Sequence, residues 1–147
     1  MMSDIANKTN FELVSPEEKL VSKQAYMVTV PGDDGEFAAM PGSASLLSSL
    51  KPGLVKVYVE DREESSPDKI FITGGFADVS GEQCTILAES AQNLSDLDQA
   101  DIEQTIRNLQ EDLGMAKETK EKNKILEKLE LQKAKLEAIT GKAITSL

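Results

Sequence analysis

The residue types that carry most enzyme chemistry are scarce in this chain. Histidine is absent and there is a single cysteine, Cys84. Ser-His-Asp and Cys-His nucleophile systems are thereby excluded, as are the usual zinc sites. One cysteine cannot close an intramolecular disulfide. Cys84 lies in the apolar run Gln83 to Ala88 with no cation beside it in sequence, so it reads as a small buried hydrophobe and not a reactive thiol. Asp33, Asp34 and Glu36 are close enough in sequence to suggest a cation site, but their spacing is not that of a calcium loop. Asp33-Asp34-Gly35 reads instead as a solvated turn. Gly74-Gly75 fits a tight hairpin or bulge better than a phosphate-binding turn. Thr140-Gly141-Lys142 lacks the preceding glycine of a P-loop and follows a helical segment, not a strand. No metal and no cofactor is expected, and the chemistry argues against an enzyme.

Charge narrows the partners. The 147 residues hold 16 Lys and Arg against 26 Asp and Glu, a net charge of −10. Such a protein repels phosphate backbones and anionic lipid, so nucleic acid and direct membrane binding are both disfavoured. No apolar run approaches the roughly 20 residues that span a bilayer. Met1 to Asn10 has neither a hydrophobic stretch nor an arginine, which argues against a signal or transit peptide and for a soluble cytoplasmic protein. Apolar residues make up 39%, but aromatics only 4% and tryptophan is absent. The core must be built mostly from Val, Ile, Leu and Ala.

The elements that would carry these residues change character near Asn93. Before it, short β-rich runs alternate with Gly and Pro turns. They are Phe11 to Val14, Gln24 to Val30, Glu36 to Met40, Leu54 to Val59, Lys69 to Thr73, Phe76 to Val79 and Gln83 to Ala88. Pro31-Gly32 is expected to stop the second run, and Asp61 to Asp68 reads as a solvated hairpin loop. Many short strands with turn signals predict an antiparallel β-sandwich or flattened barrel.

After Asn93 the pattern is helical. Ser95 followed by Asp96 and Asp98 places carboxylates where the dipole of a helix start favours them. Ile102, Ile106, Leu109 and Leu113 recur at spacings of four, three and four. Gly114 is expected to interrupt, with a second helix beginning near Lys117. Ile125, Leu129, Leu136 and Ile139 form its stripe, broadened by Leu126, and Thr140-Gly141 ends it. Two stripes with a short connection predict a helical hairpin. The first helix is acidic, with Arg107 its only base. The second is net basic, and its lysines read either as an ordinary solvated face paired with glutamates or as a partner-binding surface. The fold class is therefore α+β: a disordered extension over 1–10, a sandwich over 11–92 and a two-helix arm over 93–147. An arm of this size buries too little alone to offset its backbone entropy comfortably, so it is expected to lie on the sandwich or on a partner.

Six motifs in order resemble the epsilon subunit of bacterial F-type ATP synthases. They are Phe11-Glu12-Leu13-Val14-Ser15-Pro16-Glu17, Val30 to Phe37 (VPGDDGEF), Pro41-Gly42-Ser43-Ala44, Leu50-Lys51-Pro52-Gly53, Gly74 to Val79 (GGFADV) and Thr85 to Ala91 (TILAESA). The match runs from about Phe11 to Ile139, by pattern more than identity in the arm. The resemblance implies a non-catalytic subunit whose sandwich sits against the gamma subunit and the polar loops of the c-ring. It implies coupling of ring rotation to the alpha/beta catalytic head, at the cytoplasmic face of a bacterial inner membrane. It also implies an arm able to extend along gamma and hinder ATP hydrolysis. Glu36, Phe37 and Ser43 become candidates to face the c-ring, and Lys122, Lys124, Lys128 and Lys133 to face an acidic segment of the beta subunit.

Three departures from the family pattern bear on this. Ala38 stands where the family has Gly. Pro41-Gly42-Ser43-Ala44-Ser45 stands for Pro-Gly-His-x-Pro. In the ATP-binding motif of some members, Ile/Leu-Asp-x-x-Arg-Ala, this sequence matches at Leu97 and Asp98 but has Asp101 for the Arg and Ile102 for the Ala. An anion in place of a phosphate-facing cation predicts little or no ATP binding. Two other readings compete: a β-sandwich adaptor of another cytoplasmic assembly, and a sandwich enzyme using clustered carboxylates.

Overall fold

A computed structural model describes residues 8–60 and 66–141. It divides into two compact units, Met1–Gln92 and Asn93–Leu147. The expected extension over 1–10 lies outside the described residues as far as residue 7, but Thr9 and Asn10 already belong to the first strand.

Among the described residues ten strands come first: β1 (Thr9–Val14), β2 (Lys19–Ala25), β3 (Met27–Gly32), β4 (Gly35–Ala39), β5 (Leu46–Leu50), β6 (Gly53–Tyr58), β7 (Asp68–Ile72), β8 (Gly75–Val79), β9 (Gln83–Ala88) and β10 (Ala91–Asn93). They hydrogen-bond in the order β10-β7-β6-β3-β5-β8-β9-β1-β2, with β4 added on β3. Among β1 to β9 the described pairings are antiparallel except for β1 with β9, which run parallel. The sheet folds over one core in which Phe11, Leu13, Val28, Val30, Val55, Val57, Ile70, Ile72, Ile86 and Cys84 are essentially inaccessible. This is the sandwich expected from sequence, built from aliphatic side chains at alternate strand positions.

Several boundaries differ. The run Gln24 to Val30 is two strands, because the backbone bends at Tyr26. Ala25 and Val28 both point into the core although they are three residues apart, so the inward phase has to shift between them. Pro31-Gly32 does not stop a strand. It completes β3, and the turn is Asp33-Asp34, closing the pair Gly32 and Gly35. Asp61 to Ser65, most of the expected hairpin loop, lies outside the described residues.

Gly75 is fixed by sterics. Its φ is +149°, and a Cβ there would lie 2.0 Å from the Leu87 carbonyl oxygen. Only glycine lets β8 start this close to β9.

The second unit begins with a short 3-10 turn, Leu94–Asp96, followed by α1 (Gln99–Met115) and α2 (Thr119–Thr140). The cap of α1 is Asp98, its carboxylate accepting from the amides of Ala100 and Asp101 at 2.9 and 3.3 Å. Gly114 does not end α1, which runs one residue past it. The second helix starts at Thr119, close to the expected start near Lys117. It stops at Gly141, a left-handed residue with φ 71° whose amide returns to the Glu137 carbonyl. Ile102 and Ile106 of α1 pack with Ala116 and with Ile125 and Leu129 of α2, flanked by Leu97, Leu109, Leu113, Leu136 and Ile139. These are the two stripes read from sequence.

Candidate interaction surface

The sandwich carries an apolar strip on its outer face. Inward positions of β8 and β9 are Ala77, Val79, Cys84, Ile86 and Ala88. The outward positions between them should be polar, yet Phe76 and Leu87 stand there, opposite one another in register. They are 54% and 47% exposed. Leu87 is in turn opposite Val14 of β1, and Ser49 of β5 is opposite Phe76. Leu47, two residues from Ser49 on the same face, is 72% exposed. Leu47, Phe76, Leu87 and Val14 thus form a diagonal band across four neighbouring strands. A contiguous apolar band on a water-facing sheet marks an interaction site. Sequence reading missed it, although the signal was present: two large apolar residues out of phase with the core.

The candidates read from sequence are not brought together. Glu36 is exposed beside the β3–β4 hairpin tip, opposite Pro31. Ser43 lies past the far end of β4, roughly 13 Å away at the rise of an extended strand. Its hydroxyl accepts from the Met40 amide at 2.9 Å, and its own amide donates to the Met40 carbonyl at 3.0 Å. The hydroxyl is used to close its own turn. Phe37 is half-buried and packs on the sandwich core, its ring against Gly32.

The lysines of α2 do not share a face. At about 100° per residue, Lys124 and Lys128 flank the buried stripe on one side and Lys122 and Lys133 on the other. A shallow groove on each flank repeats this division. Lys133 lines one with Leu113, Gly114 and Leu126, and Lys124 and Lys128 line the other with Met115 and Ile125. Lys122, Lys124 and Lys128 are exposed and make no ion pair with described residues.

Leu97 is half-buried against the hairpin core, and Asp98 is committed to capping α1. Asp101 is exposed in the first turn of that helix. A phosphate would meet a carboxylate there.

Among the described residues no group of His, Cys, Asp and Glu is arranged to hold a metal ion. Cys84 is buried, and desolvation, with the nearby Asp78 carboxylate, pushes its thiol up to about 12. It stays protonated and inert at neutral pH.

An aliphatic sandwich with an apolar outer band, joined to a separate amphipathic helical hairpin, defines a binding protein of two parts. Residues 8–94 match the β-sandwich domain of the ATP synthase delta/epsilon chain, and residues 98–145 match the C-terminal domain of the ATP synthase epsilon chain. The protein belongs to the ATP synthase epsilon chain family. It is 41% identical over 140 residues to the ATP synthase epsilon chain of Rhodospirillum centenum, covering 93% of this sequence and 95% of that one. It is 39% identical over 126 residues to that of Parvibaculum lavamentivorans, covering 86% and 93%. Two solved assemblies hold subunits of this fold. One is the Euglena gracilis mitochondrial ATP synthase (OSCP/F1/c-ring in rotational state 1), with TM-score 0.77, 19% identity, and coverage of 87% of this protein and 79% of that subunit. The other is the central stalk and c-ring of the Tetrahymena thermophila mitochondrial ATP synthase, with TM-score 0.57, 15% identity, and coverage of 91% and 95%. Among the described residues no helix is long and apolar enough to cross a membrane.

Proposed function

We propose that this protein is the non-catalytic epsilon subunit in the central stalk of a bacterial proton-translocating ATP synthase. The observation that carries the reading is the band Leu47, Phe76, Leu87 and Val14, on a sandwich whose family is that of the epsilon chain. In this reading the band seats the sandwich on gamma. Four apolar side chains on one face suit a firm grip on a rotating shaft, because burial holds them without depending on angle-sensitive polar contacts. The exposed tip of the β3–β4 hairpin, with Asp33, Asp34 and Glu36, is the part offered to the polar loops of the c-ring. Ser43 contributes by shaping the neighbouring turn. The subunit then sits peripherally at the cytoplasmic face of the inner membrane, transmitting rotation to the alpha/beta head without binding ATP.

The arm has a second part in this proposal. Its lysines lie on two flanks, so an extended α2 can meet acidic surface on more than one side and slow ATP hydrolysis. Co-purification with cognate gamma tests the grip, and charge at Phe76 and Leu87 should abolish it. Deleting residues 115–147 tests the arm. A rise in ATP hydrolysis by the assembled complex supports an inhibitory arm, and an unchanged rate removes that role while leaving the coupling role intact.

A further inference from the structure

We propose that Met115 is a methionine-oxidation site whose sulfoxide latches the helical hairpin shut. Met115 ends α1 and is 71% exposed, whereas Met27 and Met40 of the sandwich are half-buried. Its neighbour Ala116 is buried in the hairpin core, so the backbone there is held while the thioether remains in solvent. Met115 shares a groove with Asp112 of α1 and with Glu121, Lys124, Ile125 and Lys128 of α2. The two ammonium groups make no ion pair with described residues.

A thioether is a poor hydrogen-bond acceptor, so these lysines gain little from it. A peroxide takes two electrons from the sulfur and transfers one oxygen to it, leaving water or an alcohol. The product is a polar sulfoxide. Its S=O oxygen is a strong acceptor in a groove that two cationic side chains of the opposite helix also line. Oxidation therefore exchanges an exposed apolar end for a charge-assisted link between the end of α1 and the first turns of α2. The start of α2 is weakly held: its N-cap, Glu118, makes no side-chain cap bond, and Lys120 and Lys122 sit with a single first-turn acid, Glu121, at the positive end of the helix dipole. A sulfoxide reductase with a dithiol reductant restores the thioether and reopens the latch.

The test is graded hydrogen peroxide treatment of the full-length protein, read by peptide mass mapping and amide hydrogen exchange. Met115 should oxidise about tenfold faster than Met27 and Met40. Exchange across residues 117–128 should then slow several-fold. Met115→Leu should show no slowing, and the double variant Lys124→Gln with Lys128→Gln should oxidise normally without slowing. Equal oxidation of Met27 or Met40 overturns the site. Unchanged or faster exchange, or slowing that survives the double lysine variant, overturns the latch.

Discussion

Phe76 of β8 and Leu87 of β9 face each other across an antiparallel register, and both side chains point outward from a core they do not join. Neither is needed to fill the sandwich. Replacing both with glutamate should cost no more than about 2 kcal/mol of stability, the sum of two half-exposed substitutions and the repulsion of carboxylates placed opposite one another. The same double variant should lose association with gamma, since an interface would have to desolvate two unpaired carboxylates. Calorimetric unfolding and co-elution read the two outcomes separately.

Gly75→Ala should be costly, by about 2–4 kcal/mol. The added methyl meets the Leu87 carbonyl oxygen, and φ +149° strains any side chain. Gly114→Ala makes the contrast: a Cβ there meets nothing within 4 Å, and alanine suits the right-handed last turn of α1 better than glycine. It should stabilise α1 by up to about 1 kcal/mol. Chemical denaturation of both variants checks the pair.

Cys84 sets an alkaline limit. Its thiol titrates at about 12 in the folded protein, mainly through burial, against 9.0 for an unperturbed group. The folded state thus holds its proton where the unfolded state has released it. Stability is unaffected by this group below about pH 9, then falls as pH rises towards 12, with a limiting slope of about 1.4 kcal/mol per pH unit. Cys84→Ala should flatten that slope. Thiol reagents should label the parent only as it unfolds.

Asp98 and Asp101 make opposite predictions. Asp98→Ala removes the cap of α1 and should cost about 1 kcal/mol, read as faster exchange over its first turn. Asp101→Arg leaves the cap in place and supplies the missing cation. Calorimetry should detect no ATP binding by the parent and a measurable gain in the Arg variant.

The sequence revealed elements where apolar spacing and turn chemistry agreed. Val55, Val57, Ile70, Ile72, Ile86 and the stripes of both helices are where alternation or 3.6-residue spacing put them. The break at Tyr26 was hidden because Ala25 to Val28 is apolar throughout, so no phase could be read. Strands β2, β5 and β10 were missed for a related reason: Lys19 to Ser22, Leu46 to Ser49 and Ala91 to Asn93 are half-exposed to exposed, with weak alternation. Helix starts depended on which polar residue reached the free amides, and at α1 that residue is Asp98. The separation of Glu36 from Ser43, and of Lys124 from Lys133, are matters of strand reach and helix rotation that residue types alone do not convey. Phe76 and Leu87 were each out of phase with the core in the sequence, but that they join in one band follows only from the pairing of their strands.

The most direct measurement is size-exclusion co-elution of the full-length protein with its cognate gamma subunit, run beside the Phe76→Glu, Leu87→Glu variant. The parent should travel with gamma and the folded variant should elute alone. A parent that stays separate from gamma, or a variant that binds as well as the parent, would contradict the account.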